Sequence, residues 1–201
     1  MKLEAKEVAF RYRREGAFVL QHLNLTVEQG ERVGLWAPSG YGKTTLCKLL
    51  AGYEKPESGQ VLLDGKPVHS WKGYCPVQMI WQHPEYAVDP RWKMKKIVEE
   101  AGAVEPHVLE GLGIQPAWME RYPMELSGGE LQRFCIARAL DARTQFLLCD
   151  EISAMLDLIT QSQLWGFLLE EAERRKLGMV VVSHSPDLME RVCTRVITLQ
   201  S

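Results

Sequence analysis

Residues 32–48 read R-V-G-L-W-A-P-S-G-Y-G-K-T-T-L-C-K: a short apolar run, a glycine-rich loop, then helix-forming residues. A strand that feeds a helix through such a loop is the context that a phosphate-binding P-loop requires, and it commits the chain to an α/β arrangement. Gly40 and Gly42 let the backbone curl so that its N–H groups face phosphate oxygens. Lys43 can reach β- and γ-phosphates, and Thr44 can place its hydroxyl on Mg²⁺. The usual pattern starts with glycine, and here Ala37 stands at that position. The glycines nearest the phosphates remain.

The sequence on either side agrees with this frame. Glu7 to Tyr12 reads as a strand, and Leu23, Leu25 and Val27 alternate as a half-buried strand does. Glu28 to Gly30 is a turn. Leu46, Leu49 and Leu50 share one face of the helix after the loop, with Gly52 to end it. Residues 56–65 read as turn, strand, turn, and 77–81 as a buried strand. From Pro84 to Pro123 strand signals vanish. Met94, Ile97, Val98 and Ala101 fit helical spacing, while six Gly and Pro residues cut the remainder into short pieces. This predicts a small helical subdomain (83–142) inserted in a core made of 1–82 and 143–201. Helices at 129–142, 160–176 and 186–192 then alternate with strands at 145–149, 179–183 and 195–199, which argues for a mainly parallel sheet.

Composition excludes several classes. The chain has 201 residues with net charge −2 and pI near 6.2, so it carries no basic nucleic-acid footprint. No apolar run is long enough for a membrane span, and the start, M-K-L-E-A-K-E-V-A-F, is charged where a signal peptide is apolar. The five cysteines contain no CxxC pair and read as reduced thiols of a cytosolic protein.

Two further stretches carry chemistry. F-L-L-C-D-E (146–151) is an apolar strand ending in two carboxylates, and ligands of open α/β sheets bind at the carboxyl ends of strands. Asp150 and Glu151 therefore fall beside the P-loop, one suited to hold Mg²⁺ and the other to polarise an attacking water. M-E-L-S-G-G-E-L-Q-R (124–133) opens a helix with glycines, leaving free N–H groups for a second anion. A chain with two phosphate-grasping devices some eighty-five residues apart in sequence needs a reason for the second.

Together these residues resemble the ATP-binding subunit of ATP-binding-cassette (ABC) transporters along almost the whole chain. L-S-G-G-E (126–130) with Gln132 and Arg133 is similar to that family's signature motif. The resemblance implies a P-loop NTPase (RecA-like) core with an N-terminal antiparallel β subdomain and an inserted helical subdomain. It implies that Ser39, Gly40, Gly42, Lys43, Thr44 and Thr45 hold ATP, that Tyr12 stacks on adenine, and that Thr44, Gln82 and Asp150 hold Mg²⁺. Glu151 corresponds to the catalytic base and His184 to the switch histidine near the γ-phosphate, with Lys43 also catalytic. Asp157 corresponds to the aspartate of a loop that crosses a dimer interface, although this stretch reads D-E-I-S-A-M-L-D where the family often has D-E-P-T-S-A-L-D. Ser127, Gly128 and Gly129 then cap a nucleotide held by another chain, which accounts for the second device.

Q-H-P-E-Y-A-V-D-P-R-W-K-M (82–94) resembles the peptide and nickel importer branch. The expected partners are transmembrane permease subunits, a second copy or a companion ABC ATPase, and a substrate-binding protein, with the chain peripheral on the cytoplasmic face of the membrane. That branch often continues into a cysteine-bearing C-terminal extension, whereas this chain reaches Ser201 just past its last predicted strand. The competing reading is a soluble ABC-type ATPase without a transmembrane partner; such proteins usually pair two cassettes in one chain or carry a coiled-coil insertion.

Overall fold

The computed structural model describes residues 1–100, 102 and 104–199. Two sheets organise the chain. The first is antiparallel, in the order β2-β1-β4-β5, from β1 (Lys2–Phe10), β2 (Leu20–Glu28), β4 (Ser58–Leu63) and β5 (Lys66–Pro67). The second is parallel, in the order β6-β7-β8-β3-β9, from β3 (Arg32–Trp36), β6 (Val77–Ile80), β7 (Phe146–Asp150), β8 (Gly178–Val182) and β9 (Arg195–Thr198).

Strand alternation divides the core into two clusters. Val33, Leu35, Val77, Met79, Phe146, Leu148, Val180 and Val182 face one way. They pack with α1 (Lys43–Leu50) and the inner face of the antiparallel sheet. Ile80, Leu147, Cys149, Met179 and Val181 face the other way, toward α4 (Gly128–Ala139), α5 (Leu158–Arg175) and α6 (Pro186–Val192). The same cluster takes in α2 (Met94–Glu99) and α3 (Pro106–Gly111) of the helical stretch. All five cysteines are free thiols.

The observed elements differ from the predicted ones at their edges. β1 begins at Lys2 and stops at Phe10, so Tyr12 lies in the loop beyond the strand. The acidic and basic look of residues 2–6 hides a central strand. Glu4 is buried in it, with Lys2 and Lys6 at 3.0 and 3.2 Å. α5 starts at Leu158 because the Asp157 carboxylate caps it, accepting from Ile159 N and Thr160 N. α4 ends at Ala139, where the chain turns through Asp141, whose carboxylate is held by Arg143. Ala101, assigned above to a helical face, lies outside the described residues.

Candidate active site

β3 delivers the glycine-rich loop to the N-terminus of α1. Gly40 and Gly42 have φ of 84° and 80°, the left-handed region that glycine enters without penalty. Gly42 is the N-cap of α1 and no side chain caps the helix. The first N–H groups of α1 are therefore left to an anion, with the helix dipole behind them. Ala37 is buried and its φ is not positive, so its methyl group brings no backbone strain. Lys43 is 6% exposed, and its ammonium donates to the Ala37 and Pro38 carbonyls at 2.6 and 3.0 Å. No carboxylate among the described residues lies within ion-pair distance of it. A buried ammonium with three protons and two carbonyl acceptors keeps a donor for a phosphate oxygen. Ser39 on the loop and Thr44 in the first turn of α1 are exposed, while Thr45 is buried. The Thr45 hydroxyl lies 3.0 Å from the Tyr12 hydroxyl, which brings the exposed Tyr12 ring to α1 beside the loop.

Opposite the loop stand the two carboxylates. Asp150 closes β7 and is 1% exposed, and its Oδ1 has no hydrogen-bond partner. Burial pushes its carboxyl above the ordinary value; contact with the Thr44 hydroxyl opposes the rise and the neighbouring Glu151 charge adds to it. An orphaned, buried carboxylate oxygen beside a threonine hydroxyl suits a divalent cation. Among the described residues no group of three or more His, Cys, Asp or Glu is placed to hold a metal ion. A cation here would therefore share its shell with the phosphates of a nucleotide.

Glu151 sits at φ 50°, unusual for a glutamate and worth about 1–3 kcal/mol of local strain. Its position is fixed from three sides. Its N–H donates to the Val182 carbonyl at 3.1 Å, Gln82 Nε2 donates to its Oε2 at 3.1 Å, and His184 Nε2 lies 2.9 Å from its Oε1. Gln82, Glu151 and His184 come from the ends of β6, β7 and β8, so the sheet order brings together residues far apart in sequence. The carboxylate is only partly buried, open to water yet held in place.

Ser127, Gly128 and Gly129 lie elsewhere. Ser127 caps α4 in a reciprocal box: Glu130 N donates to Ser127 Oγ at 3.3 Å, and Ser127 N donates to Glu130 Oε2 at 2.7 Å. The Ser127 N–H, joined by the Ser127 side chain, which also contacts the Glu130 carboxylate, holds that carboxyl below its ordinary value. These residues line a cavity of about 420 Å³ with Met155, Leu156 and Asp157, and no P-loop residue lines it. In this cavity Asp157 is occupied as a cap, its Oδ2 also accepting from Thr160 Oγ1 at 2.7 Å.

The branch-like stretch has a local cause as well. Asp89 accepts from Arg91 N, Nε and Nη2 around Pro90, and these contacts, the side-chain ones foremost, hold its carboxyl down to about 2.

Residues 20–154, two-thirds of the chain, match the family model described as ABC transporter. The chain belongs to the ABC transporter family. It is an ATP-binding ATPase of that family, with a P-loop NTPase fold. A nickel import ATP-binding protein NikE of Rhodospirillum rubrum is 35% identical over 199 residues, covering 90% of this chain and 72% of the relative. The nickel import system ATP-binding protein NikE of Staphylococcus aureus strain RF122 is 32% identical, covering 98% and 86%. The dimeric structure of MJ0796, a bacterial ABC transporter cassette, superposes with a TM-score of 0.85 at 25% identity, covering 98% of this chain and 94% of that one. A structure of an ATP-binding subunit of an ABC transporter gives 0.87 at 22% identity over all of this chain and 86% of the other, a likeness of fold. These superpositions extend beyond residues 20–154 to include β1, Tyr12 and His184. Sequence reasoning did not find Asp157 as a helix cap, because the helix was placed at 160–176 and begins at Leu158, nor the contacts made by Cys135 and Arg138; an aspartate shortly before a helical run was the one signal available.

Proposed function

We propose that this cassette hydrolyses Mg²⁺-ATP in a site completed by a second cassette and thereby powers import of nickel, or of peptides, through transmembrane permease subunits. The observation that carries the reading is Glu151 clamped between Gln82 and His184 beside the P-loop, in a chain 35% identical to a nickel import ATP-binding protein. The α1 N–H groups and Lys43 bind the phosphates, and Tyr12 offers its ring to the adenine. Thr44, Asp150 and Gln82 would hold Mg²⁺, which supplies charge neutralisation at the phosphates. Gln82 gives its amide N–H to Glu151, so its amide oxygen would be the group left to hold that ion. Glu151 accepts a proton from the attacking water. His184 and Gln82 fix the carboxylate so that no reorganisation is needed when that proton moves.

In this reading residues 1–82 and 143–201 form the core, and 83–142 form the helical subdomain that carries the signature. Ser127, Gly128 and Gly129 close on the nucleotide of the opposing chain, with Asp157 near that interface. A substrate-binding protein would deliver the cargo outside the membrane, while this chain works at its cytoplasmic face. No described helix is long and apolar enough to cross a membrane. Cargo recognition belongs to the permease and substrate-binding partners.

The test is to remove this chain from its own cell and measure uptake of radiolabelled nickel and of oligopeptides side by side. Loss of nickel uptake, restored by the wild-type chain but not by Glu151→Gln, is expected. Unchanged uptake of both cargoes would overturn the importer assignment.

A further inference from the structure

α4 meets the segment that follows β6 through three side chains spaced evenly along the helix. Gln132 Nε2 donates to the Trp81 carbonyl at 3.1 Å, Cys135 Sγ to the Pro84 carbonyl at 3.8 Å, and Arg138 Nη2 to the Ala87 carbonyl at 2.7 Å. Donors recur at every third residue, and so do acceptors. Residues three apart on an α-helix are surface neighbours. Residues 84–87 form a 3-10 turn, in which residues three apart eclipse and their carbonyls point the same way. The α4 period meets this turn at Pro84 and Ala87, while Trp81, in the non-helical stretch just after β6, supplies the third carbonyl, and a strip of hydrogen bonds results.

One end of the strip, the Gln132–Trp81 bond, abuts two functional elements. Trp81 immediately precedes Gln82, whose amide holds Glu151. Gln132 lies in the second turn of the helix that Ser127 caps. Arg138 also reaches Glu100 Oε2 at 3.3 Å, tying the far end to the residue that follows α2. Gln132 is 4% exposed, and its Oε1 has no hydrogen-bond partner. Packing alone would favour an apolar side chain of similar size, because a buried amide oxygen left unpaired is costly. What the glutamine adds is its bond to Trp81.

We propose that Gln132, Cys135 and Arg138 are positioning residues that make the backbone of residues 81–87 and the signature end of α4 move as one body. The seating of Gln82 on Glu151 in one site then sets where Ser127–Gly129 stand for the other. The inference rests on the two-chain ATPase reading. None of the three side chains touches nucleotide; they act through Gln82 and through the N-terminus of α4.

Gln132→Leu and Arg138→Leu, singly and together in the full chain, test this. Affinity for β,γ-imido-ATP should stay within about twofold, because the P-loop is untouched. Each kcat should fall about five- to tenfold, the range that one net hydrogen bond spans. The double variant should fall no further than the worse single one, since a strip broken at either rung is broken. Arg138→Lys, which keeps a cationic donor, should recover most of the turnover. Amide hydrogen exchange gives a readout independent of turnover. In the wild type the analogue should protect residues 81–87 and 127–132 together, and in the double variant 81–87 alone. A double variant that keeps wild-type kcat, or in which both segments are still protected together, overturns the proposal. So do losses of kcat that run parallel to losses of Tm and nucleotide affinity, which would mean packing only. A wild-type chain without turnover would sink the ATPase reading, and the exchange pattern would still decide the strip.

Discussion

Replacing the two P-loop glycines by alanine separates backbone strain from crowding. Both have φ near +80°, where an L-residue costs about 1–2 kcal/mol. A Cβ at Gly40 would meet nothing within 4 Å. A Cβ at Gly42 would lie 2.9 Å from Leu20 Cδ2, 3.0 Å from Val19 Cγ1 and 3.2 Å from the Val19 carbonyl oxygen. The side chains can give way, but the backbone oxygen cannot. Overpacking of this kind adds about 1–3 kcal/mol, so Gly42→Ala should cost about 2–5 kcal/mol in all. For a chain of this size each kcal/mol lowers Tm by about 2–4 °C. Scanning calorimetry without nucleotide should therefore show a fall of about 2–8 °C for Gly40→Ala and a clearly larger one for Gly42→Ala. Nucleotide affinity, from titration calorimetry, should drop more than about tenfold in both, because relief of the strain reshapes the N–H cradle. Equal loss of Tm in the two variants would refute the crowding at Gly42, and with it the packing of the loop against Val19 and Leu20.

Ala37→Gly should change nucleotide affinity by less than about tenfold and lower stability by about 0.4–1 kcal/mol through unfolded-state entropy; a larger change in a nucleotide titration would mean that Ala37 shapes the cradle. Glu151→Gln should keep ATP binding and lose about 10²- to 10⁴-fold in turnover, because an amide cannot take the proton; phosphate release at the wild-type rate would remove Glu151 from the role of base. Asp150→Asn should cost most of the Mg²⁺-dependent turnover while raising Tm near neutral pH. The Asp150 pKa is raised in the folded state, so its contribution is fully present below the unfolded value and is lost as pH rises through the folded one. The Tm advantage of Asp150→Asn should thus grow across that window and close in acid, and a pH-independent Tm difference would contradict the assignment.

What was legible in the sequence was whatever repeats locally. The β3–loop–α1 unit, the alternation of β2 and the helix after the Pro123 break follow from period and punctuation, and their cores fell where expected. β1 was half missed because Glu4 looks solvent-facing until Lys2 and Lys6 are seen to neutralise it. The two-residue β5 has no periodic signal and exists because Lys66 and Pro67 pair with Leu63 and Leu62. At the site, residue types and motif order named Lys43, Asp150 and Glu151. The clamp on Glu151 depends on β6, β7 and β8 being neighbours, which no single stretch encodes. The α4 strip is harder still. It arises where α4 packs against the end of β6 and the 3-10 turn after it, a pairing that only the packed insert sets.

The central claim is that each nucleotide is gripped by the P-loop of one chain and the signature of another. Lys43→Ala and Ser127→Arg chains, each inactive alone, should be mixed under conditions that let subunits exchange, and ATP turnover measured. In a mixed dimer one site joins both damaged halves, while the other joins an intact Lys43 to an intact Ser127. The account predicts that mixing restores turnover. If each signature served the P-loop of its own chain, every site in the mixture would stay broken, and turnover no higher than that of the separate variants would contradict the two-chain site.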